Sequence, residues 1–445
     1  MWVHRGAQDS TPQAAASSAA PNPIAVASTP TPPCTRVTSG PSDTGLTTLI
    51  AQWDRVHPDT AVAVWRTDTS CPVRIVAHNP NLPLLPASNN KLLTSAGALL
   101  TLGPSFRYTT SLVTAGGAKI VDHTLKAPVT LVGTGDPLFS TLAYARTYLG
   151  SDGDTLNTLA ARLAKADGTR PALTKISGGV RVNGSVFDAR TLPPDWNPGD
   201  IGSVQPLSGI PTNEDFAGTG QLRSVASPVL ASAQRMRAAL RDAKITVNGE
   251  IGGGRVPTAP ITLAEVTSPP LTAILRIMNV PSDDFIAEQL LKTVGAQKHT
   301  PGTSAEGAAR VVAKLTSLGI LASGDRMVDG SGLARADRVT ADTLLRLLLD
   351  AQRTPSWGAP LIASLPTPGR GTLKGRLAGL PKHSSVHAKT GTLSDVSSLS
   401  GIVHAADGKT YSFSILCNDV PADDIGAARI FQDAIVRLVA HGVAG

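Results

Sequence analysis

The sequence is poor in several features that mark common protein classes. Aromatic residues make up 4% of the 445 residues, and only three residues are cysteines. The 40 basic and 33 acidic residues are spread without runs of one sign. Nucleic-acid-binding surfaces instead combine basic clusters with interleaved aromatics. No run of about 18 apolar residues could form a membrane-spanning helix. These scarcities argue against a nucleic-acid-binding protein and against a transmembrane segment in this chain.

The composition is that of a folded chain with many turns. Hydrophobic residues make up 41%, enough for extensive cores, while 42 glycines and 34 prolines predict short elements joined by turns. A chain of 445 residues is expected to form two or three domains. We predict a tail at 1–43, a principal domain in two parts at 44–112 and 265–445, and one or two inserted, mostly β domains at 113–264.

The first 43 residues differ from the rest of the chain. Residues 1–43 are rich in Ala, Ser, Thr and Pro and lack the apolar stretch of a signal peptide. They are predicted to be a disordered tail or linker, because they offer too little apolar surface to bury. Cys417 lies in an apolar run and is predicted to be a buried thiol. Cys34 and Cys71 could form a disulfide in an oxidising compartment, but the sequence leaves their proximity open.

Hydrophobic periodicity predicts where helices and strands lie. Apolar residues recur at helical spacing after Ser88, and Gly103 is a stop signal for that helix. Asp407-Gly408 is a hairpin turn signal near the C-terminus. We therefore expect an α/β (α+β) fold with helices on the faces of an antiparallel sheet. The other predicted helices cover residues 45–56, 228–242, 271–278, 285–294, 305–318, 340–351 and 424–440, and the predicted strands cover 61–66, 73–77, 128–132, 179–186, 398–404 and 410–416.

A serine and a lysine at the start of the second predicted helix form a candidate nucleophile pair. Ser88 and Lys91 are three residues apart, so their side chains project from the same helix face. A lysine kept neutral by burial can accept the serine proton. The helix N-terminus would supply a backbone N–H for an oxyanion. A chance match is the alternative for this short pattern taken alone.

A second candidate motif, Lys389-Thr390-Gly391-Thr392, lies in predicted strand material. The ammonium of Lys389 and the hydroxyl of Thr390 could bind a substrate carboxylate through charge-assisted hydrogen bonds. Gly391 would let the strand approach a ligand closely. The backbone N–H of Thr392 would be a second oxyanion donor. The plainer alternative is a basic residue at the start of an exposed strand.

The middle segment Ser282-Asp283-Asp284 precedes another predicted helix and completes an ordered trio. The order S-x-x-K, S-x-N, K-T-G resembles the penicillin-recognising serine hydrolases. More closely, the chain resembles the D-alanyl-D-alanine carboxypeptidases and endopeptidases of the low-molecular-mass class C penicillin-binding proteins. The long gap between the first two motifs fits, because that family carries inserted domains there. Segments similar to that family also lie at 133–137, 268–271, 281–283, 286–288, 329–333, 371–374 and 388–393.

The resemblance implies a fold and a mechanism. The principal domain would have the β-lactamase/transpeptidase-like fold, and Ser88 would be acylated by the D-alanyl carbonyl with Lys91 as general base. Ser282 would relay a proton toward the leaving D-alanine, while Lys389 with Thr390 and Thr392 would hold its free carboxylate. No metal or cofactor is implied.

The partners and location follow from the same resemblance. Peptidoglycan stem peptides would be the substrates, and β-lactam antibiotics would acylate the serine. The protein would work outside the cytoplasm, in the periplasm, in the cell wall or as a secreted protein. An export signal is not visible in the sequence.

The chain departs from this family at Asp284, where the motif has asparagine. An asparagine amide can accept and donate hydrogen bonds, whereas an ionised carboxylate can only accept. Asp284 beside Lys91 would favour the charged lysine and oppose its role as a base. A protonated Asp284, which could donate, is the alternative. Three hypotheses follow: an active peptidase, a catalytically impaired wall-binding protein, and, third, a β-lactamase-like hydrolase.

Other short motifs give only weak support for a different catalytic or metal-binding site. The run at 329–332, D-G-S-G, predicts a turn, so Ser331 is not the expected nucleophile. The nine histidines show no H-E-x-x-H spacing, and no G-x-S-x-G elbow is present. The trio of motifs therefore remains the leading candidate site.

Overall fold

The computed structural model describes residues 37–40, 43–150, 155–193, 195–196, 204–217, 223–296 and 300–443. Most of the predicted tail lies outside these residues. The helices are α1 Thr44–Asp54, α2 Asn90–Leu102, α3 Leu142–Tyr144 (continued by a π-helix at Ala145–Leu149), α4 Leu156–Leu163, α5 Pro228–Asp242, α6 Leu271–Asn279, α7 Asp284–Gly295, α8 Ser304–Ser317, α9 Ala341–Arg353, α10 Pro355–Ser364 and α11 Ile425–His441. The strands are β1 Thr38–Ser39, β2 Thr60–Arg66, β3 Val73–His78, β4 Thr109–Thr114, β5 Ile120–Val121, β6 Thr124–Leu125, β7 Val129–Val132, β8 Lys175–Ile176, β9 Val180–Asn183, β10 Thr246–Val247, β11 Ile251–Gly253, β12 Ile261–Thr267, β13 Ser385–Leu393, β14 Val396–His404 and β15 Thr410–Cys417.

A six-stranded sheet in the order β1-β3-β2-β15-β14-β13 forms the centre of the principal domain. It is antiparallel except for the edge pair β1 and β3. Helices cover both faces of this sheet. Strand β2 illustrates this, because alternate residues of a strand face opposite sides of the sheet. Ala63 and Trp65 pack into the core formed largely by α2 and α6 to α10, whereas Val62 and Val64 pack against α1 and α11. The predicted fold class, helices on the faces of a largely antiparallel sheet, is confirmed.

Two smaller sheets lie between the two parts of the principal domain in sequence. One has the order β11-β9-β7-β4-β12, and the other has the order β10-β8-β6-β5. Helices α4 and α5 close their shared core. The strands run from Thr109 to Thr267, so the predicted limits 113–264 would cut β4 and β12. The domain limits themselves remain a prediction.

Two of the three cysteines lie among the described residues. Cys417 is a buried free thiol. Cys71 is disulfide-bonded, and its predicted partner Cys34 lies outside the described residues. In the described ranges no helix combines the length and apolarity needed to cross a bilayer.

A buried lysine joins the inserted region to α7, the helix that follows the middle motif. Lys292 is 1% exposed. Its Nζ donates to the carbonyl of Arg190 at 2.7 Å and lies 2.6 Å from Asp188 Oδ1. The Phe187 ring centroid is 5.5 Å from the same nitrogen. A buried ammonium must be fully paired, so these contacts fix the position of the inserted segment against α7.

We predict that Lys292→Met destabilises the protein by about 2–3 kcal/mol, because it removes the buried hydrogen-bond donor and leaves Asp188 without its cation. Methionine preserves the side-chain volume, so packing loss is small. The measurement is the free energy of unfolding in denaturant. Lys314→Ala, at an exposed position on α8, is the control and should change stability by less than about 0.5 kcal/mol. Equal stability of Lys292→Met and the native protein would contradict the prediction.

Candidate active site

Ser88 lies in a short 3₁₀ turn, Ala87–Asn89, that leads into α2. Ala87 is buried and has a φ of +46°, a strained backbone conformation for a residue with a Cβ. Ser398 on β14 holds the turn, because its Oγ donates to the Pro86 carbonyl at 2.7 Å and accepts from the Asn89 amide. Ser88 is therefore held in the turn directly before α2 and not within that helix.

The Lys91 ammonium is the point where three segments of the chain meet. Lys91 is 0% exposed. Its Nζ donates to Ser88 Oγ at 2.8 Å, to Asp284 Oδ1 at 2.5 Å and to the Ser331 carbonyl at 2.9 Å. An ammonium has three N–H donors, and each has an acceptor here. The geometry is that of a charged lysine.

The middle motif lies at the N-terminus of α7. Ser282 has a φ of +69°, and the Asp283 side chain caps the helix by accepting from Ile286 N at 2.8 Å. Asp284 is the first residue of the helix, and its side chain is 24% exposed. The cap therefore aims one carboxylate into the helix end and the next one toward Lys91.

Lys389 on β13 has a different environment from that of Lys91. It is 0% exposed, and its Nζ donates to Ser282 Oγ at 2.8 Å and to the Thr390 carbonyl at 2.9 Å. Both acceptors are neutral. Burial and the nearby charge of Lys91 lower the pKa of Lys389 well below its ordinary range, and the Asp284 charge opposes this shift. The site thus holds one lysine paired with a carboxylate and one lysine whose acceptors are both neutral.

Gly391 brings β13 against the nucleophile turn. A Cβ on this residue would lie 2.2 Å from Ser398 Oγ, 2.8 Å from the Pro86 carbonyl and 2.9 Å from Ser88 N. Only glycine permits this approach. The physical reason differs from the predicted one, since the tight contact is with the protein's own nucleophile turn.

Two side chains that the motifs did not indicate extend the binding face of β13. Thr390 Oγ1 donates to Thr372 Oγ1 at 2.8 Å, and Arg429 on α11 donates to Thr392 Oγ1 at 3.2 Å. Thr372 belongs to the predicted family-like segment at 371–374, but an arginine on an amphipathic helix carries no recognisable signal. The hydroxyls of Thr390 and Thr392 and the guanidinium of Arg429 therefore lie along the strand that follows Lys389.

The structure brings the predicted site residues together as two hydrogen-bonded groups and the strand that follows Lys389. Ser88, Lys91 and Asp284 form one hydrogen-bonded group, and Ser282 with Lys389 forms a second. The first group contains a hydroxyl nucleophile beside an amine. The second, with the strand that follows Lys389, contains donors suited to an anionic group.

Comparisons with known proteins show which family the chain belongs to. The family model for D-Ala-D-Ala carboxypeptidase 3 (S13) matches residues 45–208 and 208–441. Carboxypeptidase DacB of Mycolicibacterium smegmatis is 32% identical over 391 residues, which cover 85% of this chain and 81% of that protein. The D-alanyl-D-alanine carboxypeptidase of Actinomadura sp. is 30% identical over 84% of this chain and 80% of that protein.

A solved structure shows the same fold. The crystal structure of penicillin binding protein 4 from Haemophilus influenzae matches with a TM-score of 0.74 and 21% identity, over 88% of this chain and 99% of that one. The chain therefore belongs to the D-Ala-D-Ala carboxypeptidase 3 (S13) family and is a serine-type D-Ala-D-Ala carboxypeptidase.

Proposed function

We propose that this carboxypeptidase removes the terminal D-alanine from peptidoglycan stem peptides through an acyl-enzyme on Ser88. The Ser88 Oγ attacks the carbonyl of the penultimate D-alanine, and its proton passes to a neutral Lys91. The tetrahedral intermediate then expels the terminal D-alanine, whose nitrogen takes a proton through Ser282. Water hydrolyses the resulting ester and restores the Ser88 hydroxyl.

The observation that carries this proposal is the contact of the Lys91 amine with Ser88 Oγ at 2.8 Å, beside a strand of carboxylate-binding groups. That distance lies within the reach of a general base and its nucleophile. Lys389, Thr390 and Thr392 would bind the free carboxylate of the terminal D-alanine, and Arg429 would add a second cation. The same acylation step would also cut a cross-link at D-alanine, and a β-lactam would acylate Ser88 in place of the peptide.

The short contact between Lys91 and Asp284 favours a second candidate, a slow or impaired enzyme that binds the wall peptide. Asp284 Oδ1 lies 2.5 Å from Lys91 Nζ and pairs with its ammonium. A lysine must be neutral to act as a base, so the ion pair has to be weakened before proton transfer. We therefore expect acylation to be slow in this chain.

The compartment follows from the substrate. Peptidoglycan lies outside the cytoplasm, so we infer extracytoplasmic action. The disulfide at Cys71 supports this, because disulfides persist mainly in oxidising compartments.

The first experiment tests the nucleophile. We predict that Ser88→Ala abolishes both labelling by a fluorescent penicillin and release of D-alanine from a D-Ala-D-Ala peptide, because it removes the hydroxyl that forms the ester. Ser317→Ala, at an exposed position on α8, is the matched control and should keep the label. Labelling that persists in Ser88→Ala would remove the proposal. Label on the native protein without peptide turnover would favour the impaired form.

A second experiment tests the Asp284 ion pair. We predict that Asp284→Asn raises the rate constant of β-lactam acylation by at least about tenfold, because a neutral amide frees Lys91 to act as a base. Stopped-flow acylation is the measurement. Glu306→Gln, which removes an exposed carboxylate on α8, is the control and should acylate at about the native rate. An Asp284→Asn variant no faster than the native protein would show that the ion pair does not limit acylation.

A third experiment uses pH to test Lys389. A carboxylate binds the cationic lysine, and the lowered pKa means that this cation is lost at a pH below that of an ordinary lysine. We predict that β-lactam binding weakens as pH rises through that pKa, approaching about tenfold per pH unit above it. Arginine stays charged, so Lys389→Arg should bind with no such dependence. Identical pH profiles for the two proteins would contradict the assignment.

A further inference from the structure

Helix α7 carries two acidic side chains one turn apart, and both reach the surroundings of Lys91. Asp284 contacts the ammonium directly. Glu288 is 0% exposed, and its Oε1 accepts from Gly330 N at 2.9 Å and from Ser331 N at 2.7 Å. The carbonyl of Ser331 then accepts from Lys91 Nζ at 2.9 Å. One helix therefore positions two of the three acceptors of the ammonium.

The loop held by Glu288 is fixed on its other sides as well. The carboxylate of Asp329 accepts from Gly332 N at 2.7 Å and from Ala334 N at 2.7 Å. Trp196 of the inserted region donates to the same carboxylate at 2.8 Å. Gly332 has a φ of +88°, and a Cβ there would lie 1.9 Å from the Ala87 carbonyl. The loop 329–334 is thus held in place by these contacts and packs against both Lys91 and the nucleophile turn.

The charges of this region restrict the state of Glu288. Glu288, Asp329 and Asp337 are all 0% exposed, and none of them forms an ion pair with a lysine or arginine among the described residues. Burial and the nearby Asp329 charge raise the pKa of Glu288 well above its ordinary range, and the same causes raise that of Asp337. Both N–H groups donate to Oε1, which leaves Oε2 as the oxygen that can carry the proton of a neutral Glu288.

We propose that Glu288 is a positioning residue for Lys91, acting as a neutral acid that holds the 330–331 peptide so that its carbonyl fixes the lysine between Ser88 and Asp284. The proposal rests on the role of Lys91 in the proposed function. A charged Glu288 would add a further carboxylate charge close to Lys91, which would stabilise the ammonium and oppose proton acceptance. The acceptor can then orient the lysine without adding charge.

The test compares isosteric and truncating substitutions, using a chromogenic cephalosporin and separating its dissociation constant from the acylation rate constant. Glu288→Gln keeps a carbonyl acceptor and replaces a neutral hydroxyl by a neutral amide. It should acylate within about threefold of the native protein with an unchanged pH profile. Glu288→Ala removes the acceptor and should lower the acylation rate constant by at least about 30-fold with the dissociation constant nearly unchanged. Glu306→Ala, on the exposed surface of α8, is the control and should match the native protein.

Two results would overturn the proposal. A Glu288→Gln variant as slow as Glu288→Ala would mean that the negative charge, and not the acceptor, is required. A Glu288→Ala variant with native acylation would mean that the loop needs no such support. Because truncation in a buried site can prevent folding, Glu288→Asp is the second variant. It keeps the acid but is too short to reach both N–H groups, and it should behave as Glu288→Ala does.

A measurement without turnover separates this proposal from the proposed function. The NMR signal of the Lys91 side chain, assigned with Lys91→Arg, should be unchanged in Glu288→Gln and displaced in Glu288→Asp. This result is expected even if no Ser88-dependent acylation is found. An undisplaced signal in Glu288→Asp would count against the positioning role alone.

Discussion

The pairing of a fully buried ammonium, Lys91, is the constraint on which the site depends. Removing a charged amine from water is tolerated only when each of its N–H groups has an acceptor. Here the acceptors come from the nucleophile turn, from α7 at a separation of 193 residues, and from the loop 329–334 at a separation of 240 residues. Those three segments must therefore converge in any state in which Lys91 is buried. The sheet and its helical layers serve to hold that convergence, since α2 and α7 pack side by side in one core.

The Asp284 carboxylate contacts Lys91, and its charge also acts on Lys389. Asp284 pairs with Lys91, and its charge also opposes the loss of the Lys389 proton. With asparagine at this position, two buried amines would repel each other and one would have to be neutral. With aspartate, that conflict is partly removed. The substitution thus favours a cationic Lys389 for carboxylate binding and disfavours a neutral Lys91 for proton transfer. The choice of aspartate or asparagine at position 284 therefore has opposite effects on carboxylate binding by Lys389 and on proton transfer by Lys91.

The sequence allowed the motifs and most helices of the principal domain to be predicted, because motif order and apolar periodicity are local signals. Helix α10 was missed, since Pro355, Gly358 and Pro360 look like breakers. Pro355 occupies the first turn, where it is tolerated, and burial of Trp357 outweighs the remaining cost. Arg429, which contacts Thr392, left no local signal, and the family-like segment at 329–333 did not indicate that the Ser331 carbonyl contacts Lys91. Such contacts follow from packing, which sequence spacing does not encode.

The inserted region is part of the site's support as well as an addition to the fold. Trp196 donates to Asp329 beneath the nucleophile turn, and the amide of Gln289 on α7 donates to the Ser208 carbonyl at 2.9 Å. Lys292, one turn further along α7, forms an ion pair with Asp188. All three contacts involve groups buried in the principal domain, where an unsatisfied donor or acceptor is costly. Removing the insertion would therefore leave unpaired polar groups on the same helix and loop that hold Lys91. It follows that the insertion and the proton-transfer site are energetically coupled.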